Sequence, residues 1–279
     1  MKQILFIFFL FSITHCISQD YQKAFDNAKA DKNVELQEKI LNDWASSNTS
    51  PEYYLAKITF QYEQSFVEFI SLGIPEYSRS NKPKKQRSLD RDKFLEVVKT
   101  AKEGIDKFPN RIDIRLSILN KCVEHTKKDN LREFAQSLAV QNKSNKGKWL
   151  TTNNEEYQND ILALLESYQA VLRKNSDYDN LIRLSETILD YHPKHLLSYE
   201  CIWGSFMSLS DYENAIQYLK KAEKIDKNNS KVIYNLAEAY EYSNKPKLAI
   251  KYYEKYNKVE PKYTDTINKK IERLKNSVQ

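Results

Sequence analysis

Glycine is scarce in this chain: four residues in 279, at positions 73, 104, 147 and 204. No two lie close enough for GxGxxG or GxxxxGK(S/T), so the usual dinucleotide and phosphate-loop fingerprints are absent. Proline is also sparse, at seven, and an all-β sandwich, which needs a turn about every eight to twelve residues, is excluded. Three cysteines and four histidines cannot build a disulfide framework or a zinc-finger array. Long apolar runs are lacking too. The one near the N-terminus, Ile4 to Ile13, is shorter than the roughly 20 residues that span a bilayer. Charge is plentiful: 29% of residues are charged against 41% hydrophobic, with a mean hydropathy of −0.71. These proportions fit a soluble chain of long helices.

Residues 1–18 read as an export signal. Lys2 supplies the positive start, Ile4 to Ile13 the apolar core, and Cys16-Ile17-Ser18 ends on a small residue suited to cleavage. Cleavage after Ser18 predicts a periplasmic or extracellular protein beginning at Gln19. Two alternatives stay open: an uncleaved anchor, and a lipidated Cys16, although His15 stands where a small residue normally precedes such a cysteine. Loss of Lys2 lowers the formal charge from +6 to +5. That value is mild for the size and predicts no nucleic-acid partner. Cys122 and Cys201 survive cleavage and are expected as buried small apolar residues.

An internal repeat organises the second half. Asn175-Ser176-Asp177-Tyr178-Asp179-Asn180-Leu181 returns 34 residues later as Leu209-Ser210-Asp211-Tyr212-Glu213-Asn214-Ala215, and Pro193 and Pro261 stand two such periods apart. A stride of 34 marks a helix–turn–helix repeat. With these residues the chain resembles the tetratricopeptide-repeat family. In unit 162–195 the family's columns hold Leu165, Tyr168, Gln169, Leu172, Leu181, Ser185 and Pro193. Unit 196–229 has Tyr199, Ile202, Trp203, Phe206, Ala215, Leu219 and Lys227. Unit 230–263 has Ile233, Leu236, Ala237, Tyr240, Ala249, Tyr253 and Pro261. The first unit departs where small residues are expected, at Gln169, Leu181 and Ile188; Trp203 and Tyr256 depart in the others. Periodicity supports the same phasing: small residues let paired helices approach, large ones fill the seams, and the prolines end helices. Residues 264–279, with Ile267, Ile271 and Leu274 on one face, read as a capping helix. They lack the bulky anchors of a membrane-surface helix.

The resemblance implies an all-α fold, a right-handed α-α superhelical solenoid of helix pairs with a C-terminal capping helix. Residues 19–145 read as degenerate helical repeats of the same kind. Pro109 serves as a closing proline, and Ile118, Cys122, Leu131, Ala135 and Leu138 occupy packing columns. Val34, Leu36, Ile40, Leu41 and Trp44 mark one helix. Tyr54, Ile58, Tyr62, Phe66 and Phe69 continue the face of another. Residues 146–161 read as an inter-repeat insertion, a loop leading into a lengthened helix. Pro75 to Arg91 reads as a basic loop carrying Arg79, Lys82, Lys84, Lys85, Arg87 and Arg91. This loop is either a plain solvated insertion or a docking segment for an anionic surface, the latter making the chain an assembly factor for envelope or secretion machinery. The layout resembles exported tetratricopeptide-repeat proteins of Bacteroidetes-type bacteria.

No catalytic constellation emerges, and no cofactor or metal is expected. His192-Pro193-Lys194-His195 has HxxH spacing across a helix-ending proline and lacks the glutamate of HExxH. Cys122 and His125 stand three apart with nothing to orient them. A hydrolytic or metal enzyme using His192, His195 or Cys122 is therefore the weakest alternative. The resemblance instead implies a protein or peptide partner held on the face of each unit's first helix. Its columns hold Glu166, Ala170, Arg173 and Lys174; then Glu200, Gly204, Met207 and Ser208; then Tyr234, Glu238, Glu241 and Tyr242. Of the family's carboxylate clamp, only Asn235 matches. Four Glu against one Arg and one Lys predict a preference for basic or polar ligands.

Overall fold

The computed structural model describes residues 18–47, 49–71, 84–125 and 127–277. The chain divides into two compact units: residues 1–130 with 144–159, and residues 131–143 with 160–279.

The first unit starts with α1 over residues 18–30 and α2 (Val34–Ser47). A helix pair needs a tight reversal. Here Lys32 adopts a left-handed φ of 54° and the Asn33 N–H donates to Ala28 O at 2.9 Å, closing the helix end as a left-handed cap does. Helix α3 (Pro51–Gln64) has Ser50 as N-cap and proline in its first turn, where the missing N–H costs nothing. Strands β1 (Phe66–Ser71) and β2 (Lys84–Leu89) follow, then α4 (Arg91–Lys107), capped by Asp90, and α5 (Ile112–Glu124).

The hairpin corrects two expectations. Phe66 and Phe69 do not extend the helical face, because α3 ends at Gln64 and both residues lie on β1. The basic loop is not wholly a loop: Lys84, Lys85 and Arg87 lie on β2, antiparallel to β1 with Phe66 opposite Leu89 and Glu68 opposite Arg87. The Asp90 N–H donates to Ser65 O at 2.7 Å and closes the hairpin's base, and the Arg87 guanidinium sits 4.9 Å over the Phe66 ring. Arg91 opens α4, while Arg79 and Lys82 lie outside the described residues.

An aromatic chain fills the core of this unit. Trp44 stacks on Tyr21 at 5.6 Å and meets Tyr53 edge-on at 5.9 Å; Tyr54 meets Phe108 at 6.0 Å. Gly104 on α4 makes room for Tyr54, since a Cβ there would lie 2.8 Å from Tyr54 Cγ. Beside it Arg111, 5% exposed, bonds both Asp113 oxygens (3.0 and 2.6 Å) and Glu52 (2.9 Å). Burial raises the Glu52 carboxyl, but hydrogen bonds from its own backbone N–H, Arg111 and Ser50 outweigh this and hold it below its ordinary value. Ser18, also buried, lies 2.7 Å from Ser50 Oγ and donates to Glu52 at 3.3 Å.

The expected insertion at 146–161 is a packed strap within this unit. Trp149 is fully buried, with the Arg115 guanidinium 5.2 Å over its ring. Backbone bonds Leu150 N–H to Asn110 O and Ile112 N–H to Leu150 O tie it to the start of α5. It does not lead into a lengthened helix.

The second unit contains residues 131–143 of α6 (Lys128–Ser144), and then α7 (Ile161–Lys174), α8 (Tyr178–Tyr191), α9 (Leu196–Ser208), α10 (Tyr212–Ile225), α11 (Ser230–Tyr242), α12 (Pro246–Val259) and α13 (Thr264–Asn276). Each helix from α7 to α13 packs on the next in sequence, and no strand occurs among its described residues. The turns repeat as the sequence does. Ser176, Ser210 and Asn244, spaced by 34, are left-handed at φ 53°, 60° and 56°. The residue after each donates back to Leu172, Phe206 and Tyr240 O. Ala215, Ala222, Ala237 and Ala249 are fully buried. Ile267, Ile271 and Leu274 of α13 join the same core.

The divergent first pair shows how it keeps the packing. Gln169 stands where later pairs have Trp203 and Ala237, and Ser185 where they have Leu219 and Tyr253. Against Ala237 and Tyr253 the larger residue has changed sides, while Trp203 and Leu219 are both large. Gln169 Nε2 reaches Ser185 Oγ at 2.7 Å and Ser198 Oγ at 3.0 Å inside the core.

Candidate functional site

The first helices of the three pairs, α7, α9 and α11, carry the residues that the sequence nominates. Their acidic side chains point toward partners one repeat further on. Glu166 Oε1 lies 2.9 Å from His195 Nε2, whose Nδ1 lies 2.9 Å from Ser198 Oγ. Lys231 donates to Glu200 at 2.5 Å, with Arg173 3.7 Å from the same oxygen. Lys270 donates to Glu238 at 3.0 Å, and Arg273 pairs with Glu241. These contacts form a ladder with sequence offsets of 27 to 32.

This ladder corrects the count of four Glu against one Arg and one Lys. His195, Lys231, Lys270 and Arg273 were missing from that count, so a preference for basic ligands does not follow from it. Their signal was present: opposite charges recur 31 or 32 residues apart in Glu200/Lys231, Glu238/Lys270 and Glu241/Arg273. The second helices repeat it in Glu213/Lys245 and Glu223/Lys255 (2.5 and 2.6 Å).

Around the ladder the face is part aromatic. Tyr234 donates to Glu238 at 2.7 Å and accepts from Lys270 at 2.9 Å. Burial and Glu238 raise the Tyr234 phenol while Lys270 opposes them. Lys270 itself would be lowered by burial, but its bonds to Tyr234 and Glu238 prevail and lift it. Burial, then Glu241, push Tyr253 well above the ordinary phenol range; its hydroxyl donates to Glu241 at 2.8 Å. Tyr242 is 56% exposed and stacks on Tyr212 at 5.3 Å. Met207 packs partly buried against the core, and Lys174 is exposed. Arg173 donates to Cys201 Sγ at 2.8 Å; burial raises that thiol although Arg173 pulls the other way. Asn235 is spent on its own helix, donating to Lys231 O at 2.7 Å.

The centre of this face is open. Ala170 is exposed and Gly204 half-exposed, and a Cβ built on Gly204 would meet no atom within 4 Å. Side chains stand on either side, with Glu200 and Arg173 toward one end and Met207 toward the other.

The residues weighed for chemistry are not brought together. Cys122 is fully buried, and His125 Nε2 lies 2.5 Å from Tyr62 OH. His192 is exposed, while His195 is held by Glu166 and Ser198. Neither Cys122 nor Cys201 forms a disulfide. Among the described residues no cluster of three or more His, Cys, Asp or Glu is placed to hold a metal ion, and no helix is long and apolar enough to cross a membrane.

Residues 206–266 match the family model for the tetratricopeptide repeat. No curated protein matches the chain. Among solved structures, the first repeat domain of Spaghetti (RPAP3), bound to the HSP90 peptide SRMEEVD, is 16% identical and covers 42% of this chain and 91% of its own, with a TM-score of 0.39. The Arabidopsis OM64 repeat domain is 19% identical over 41% of this chain and 93% of its own (TM-score 0.37). MamA 41-end from Desulfovibrio magneticus RS-1 is 14% identical over 59% and 95% (TM-score 0.38). Residues 206–266 are thus similar to a tetratricopeptide repeat, and the left-handed turn residues Ser176, Ser210 and Asn244 recur at that family's 34-residue stride.

Proposed function

We propose that the chain is a protein-interaction scaffold, and that the face of α7, α9 and α11 receives an extended peptide or a helix from its partner. The observation that carries this reading is the open floor at Gly204. A glycine at that point removes the side chain and lets a ligand come close to the helix itself. The paired charges and tyrosines around it offer hydrogen bonds without the cost of freeing a buried ion. The stacked helices hold that surface rigid, which limits the entropy lost on binding.

Gly204→Trp tests this. The indole would occupy the floor while the buried side of α9 stays as it is. Proteins captured from a cell-envelope extract by the wild-type chain are expected to be lost by the variant, with an unchanged circular-dichroism spectrum. An unchanged captured set removes this face as the docking surface.

Export is a further part of the proposal and rests on the sequence of residues 1–18. Residues 1–17, including Cys16 and the apolar core, lie outside the described residues. N-terminal sequencing of the protein recovered from cells separates cleavage after Ser18 from lipidation at Cys16. Resemblance to exported proteins of Bacteroidetes-type bacteria supports the former.

A further inference from the structure

The formal charge of the chain is +6, and residues 245–279 hold ten Lys and Arg against four Asp and Glu. The last helix pair therefore carries the entire net charge, and residues 1–244 balance. Half of these ten cations are spent on carboxylates: Lys245, Lys255, Lys270, Arg273 and Lys275 each have an ion-pair partner. Lys247, Lys251, Lys258, Lys262 and Lys269 are exposed and make no ion pair among the described residues.

Their placement is ordered. Lys247, Lys251 and Lys258 share one side of α12 at i, i+4 and i+11, with the exposed Glu254 between them at i+7, opposite the buried Ala249, Tyr252 and Tyr253. At 1.5 Å per residue the row is about 16 Å long. Apolar side chains flank it: Leu248 is 40% exposed, and Tyr263, between the two helices, is 47% exposed with Lys262 5.5 Å over its ring.

We infer that the outer side of α12, with Lys262, Tyr263 and Lys269 beyond its end, is a docking surface for an anionic lipid bilayer. The charge sign selects an anion, and the residue types select among anions. Fixed recognition of a carboxylate or phosphate favours the planar arginine fork. The one arginine here, Arg273, is engaged by Glu241, and all five unpaired cations are lysines, which act as point charges on flexible stems. Such a row suits a field of mobile headgroups. Tyrosine at the headgroup level and a leucine beside it add interfacial contact. This surface lies on α12, whereas the floor at Gly204 lies on α9.

The test is co-sedimentation of the full chain with vesicles of phosphatidylcholine alone or containing phosphatidylglycerol, at 50 and 300 mM salt. Binding is expected only to the anionic vesicles and is expected to weaken at the higher salt. At about fivefold per lysine, Lys247→Gln/Lys251→Gln/Lys258→Gln should lower partitioning by about a hundredfold. These positions are exposed, and Lys262→Gln/Lys269→Gln gives an independent reduction if the triple variant misfolds. Neutralising Arg79, Lys82, Lys84, Lys85 and Arg87 should change binding less than twofold, and Gly204→Trp should not change it. No binding to anionic vesicles, equal binding to neutral ones, or binding lost only with the 79–91 variant would overturn the inference. Capture by soluble polyglutamate without vesicle binding would overturn it too, in favour of an acidic protein.

Discussion

Alanine at Gly104 and at Gly204 should move stability in opposite directions. Both glycines lie inside helices, α4 and α9, where alanine is intrinsically favoured by about 0.5–1 kcal/mol. At Gly204 nothing lies within 4 Å of the new methyl, so Gly204→Ala should show that gain unopposed. At Gly104 the methyl would stand 2.8 Å from Tyr54 Cγ and 3.0 Å from Cβ and Cδ1. These are atoms at the root of the side chain, not at its flexible end. Tyr54 cannot swing away, because its ring packs edge-on to Tyr53 at 5.2 Å and Phe108 at 6.0 Å. Helices α3 and α4 must part instead. Overpacking of this kind costs about 1–3 kcal/mol, which set against the alanine gain leaves a net loss of up to about 2.5 kcal/mol, a fall in Tm of a few degrees. Urea unfolding followed by tryptophan fluorescence reads the first unit through Trp44 and Trp149, and the second through Trp203. If Gly104→Ala unfolds at the same or higher urea than the wild type, the close approach of α3 and α4 is wrong.

The buried Arg111 is expected to be far harder to replace than any surface cation. Arg111→Met leaves Glu52 and Asp113 without their partner and should cost about 3–5 kcal/mol in urea titrations. Because the Glu52 carboxyl is held below its ordinary value of 4.5, its contribution is present above that pH and fades as the pH falls through the folded-state value. The first unit should lose stability in acid, and this loss should be smaller in Arg111→Met. For the exchanged pair in α7 and α8, Gln169→Ala and Ser185→Leu should each destabilise, one by a cavity and one by crowding. Together they should cost less than their sum by at least about 0.5 kcal/mol. The double variant also removes Gln169 Oε1, which is buried without a partner. Strict additivity in chemical denaturation would show that the two residues do not share a packing site. Trp149→Ala should cost about 3–5 kcal/mol and lower the first transition; an unchanged transition would mean the strap is not part of that core.

The helix pairs from Ile161 onward were legible because the turn needs the same backbone each time. Ser176, Ser210 and Asn244 are small polar residues that tolerate a left-handed φ, and the tyrosine or proline two residues on restarts the helix. The hairpin was not legible. Tyr62, Phe66 and Phe69 have helical spacing, and nothing local says that Phe66 pairs with Leu89 across 23 positions. Trp149 reads as part of an insertion because its burial depends on Arg115 and on backbone bonds from Leu150 to Asn110 and Ile112, all distant in sequence. On the candidate face the columns were nominated from the repeat phase alone. Their cross-repeat partners were not, since an offset near 32 brings charges together only once the helices are stacked. The lysines beyond residue 245 needed only a running sum of charge.

The hairpin leaves its helix pair after Ser65 and returns at Asp90, and these two residues are joined by one short backbone bond. The scaffold thus sees a closed gate, whatever stands behind it. Because the entropy of closing a loop grows only slowly with its length, this doorway can be fitted with a longer ribbon, an epitope or a small folded cargo while α3 and α4 keep their embrace. Relatives that share the rods and differ in what hangs from this joint would be variations on one chassis.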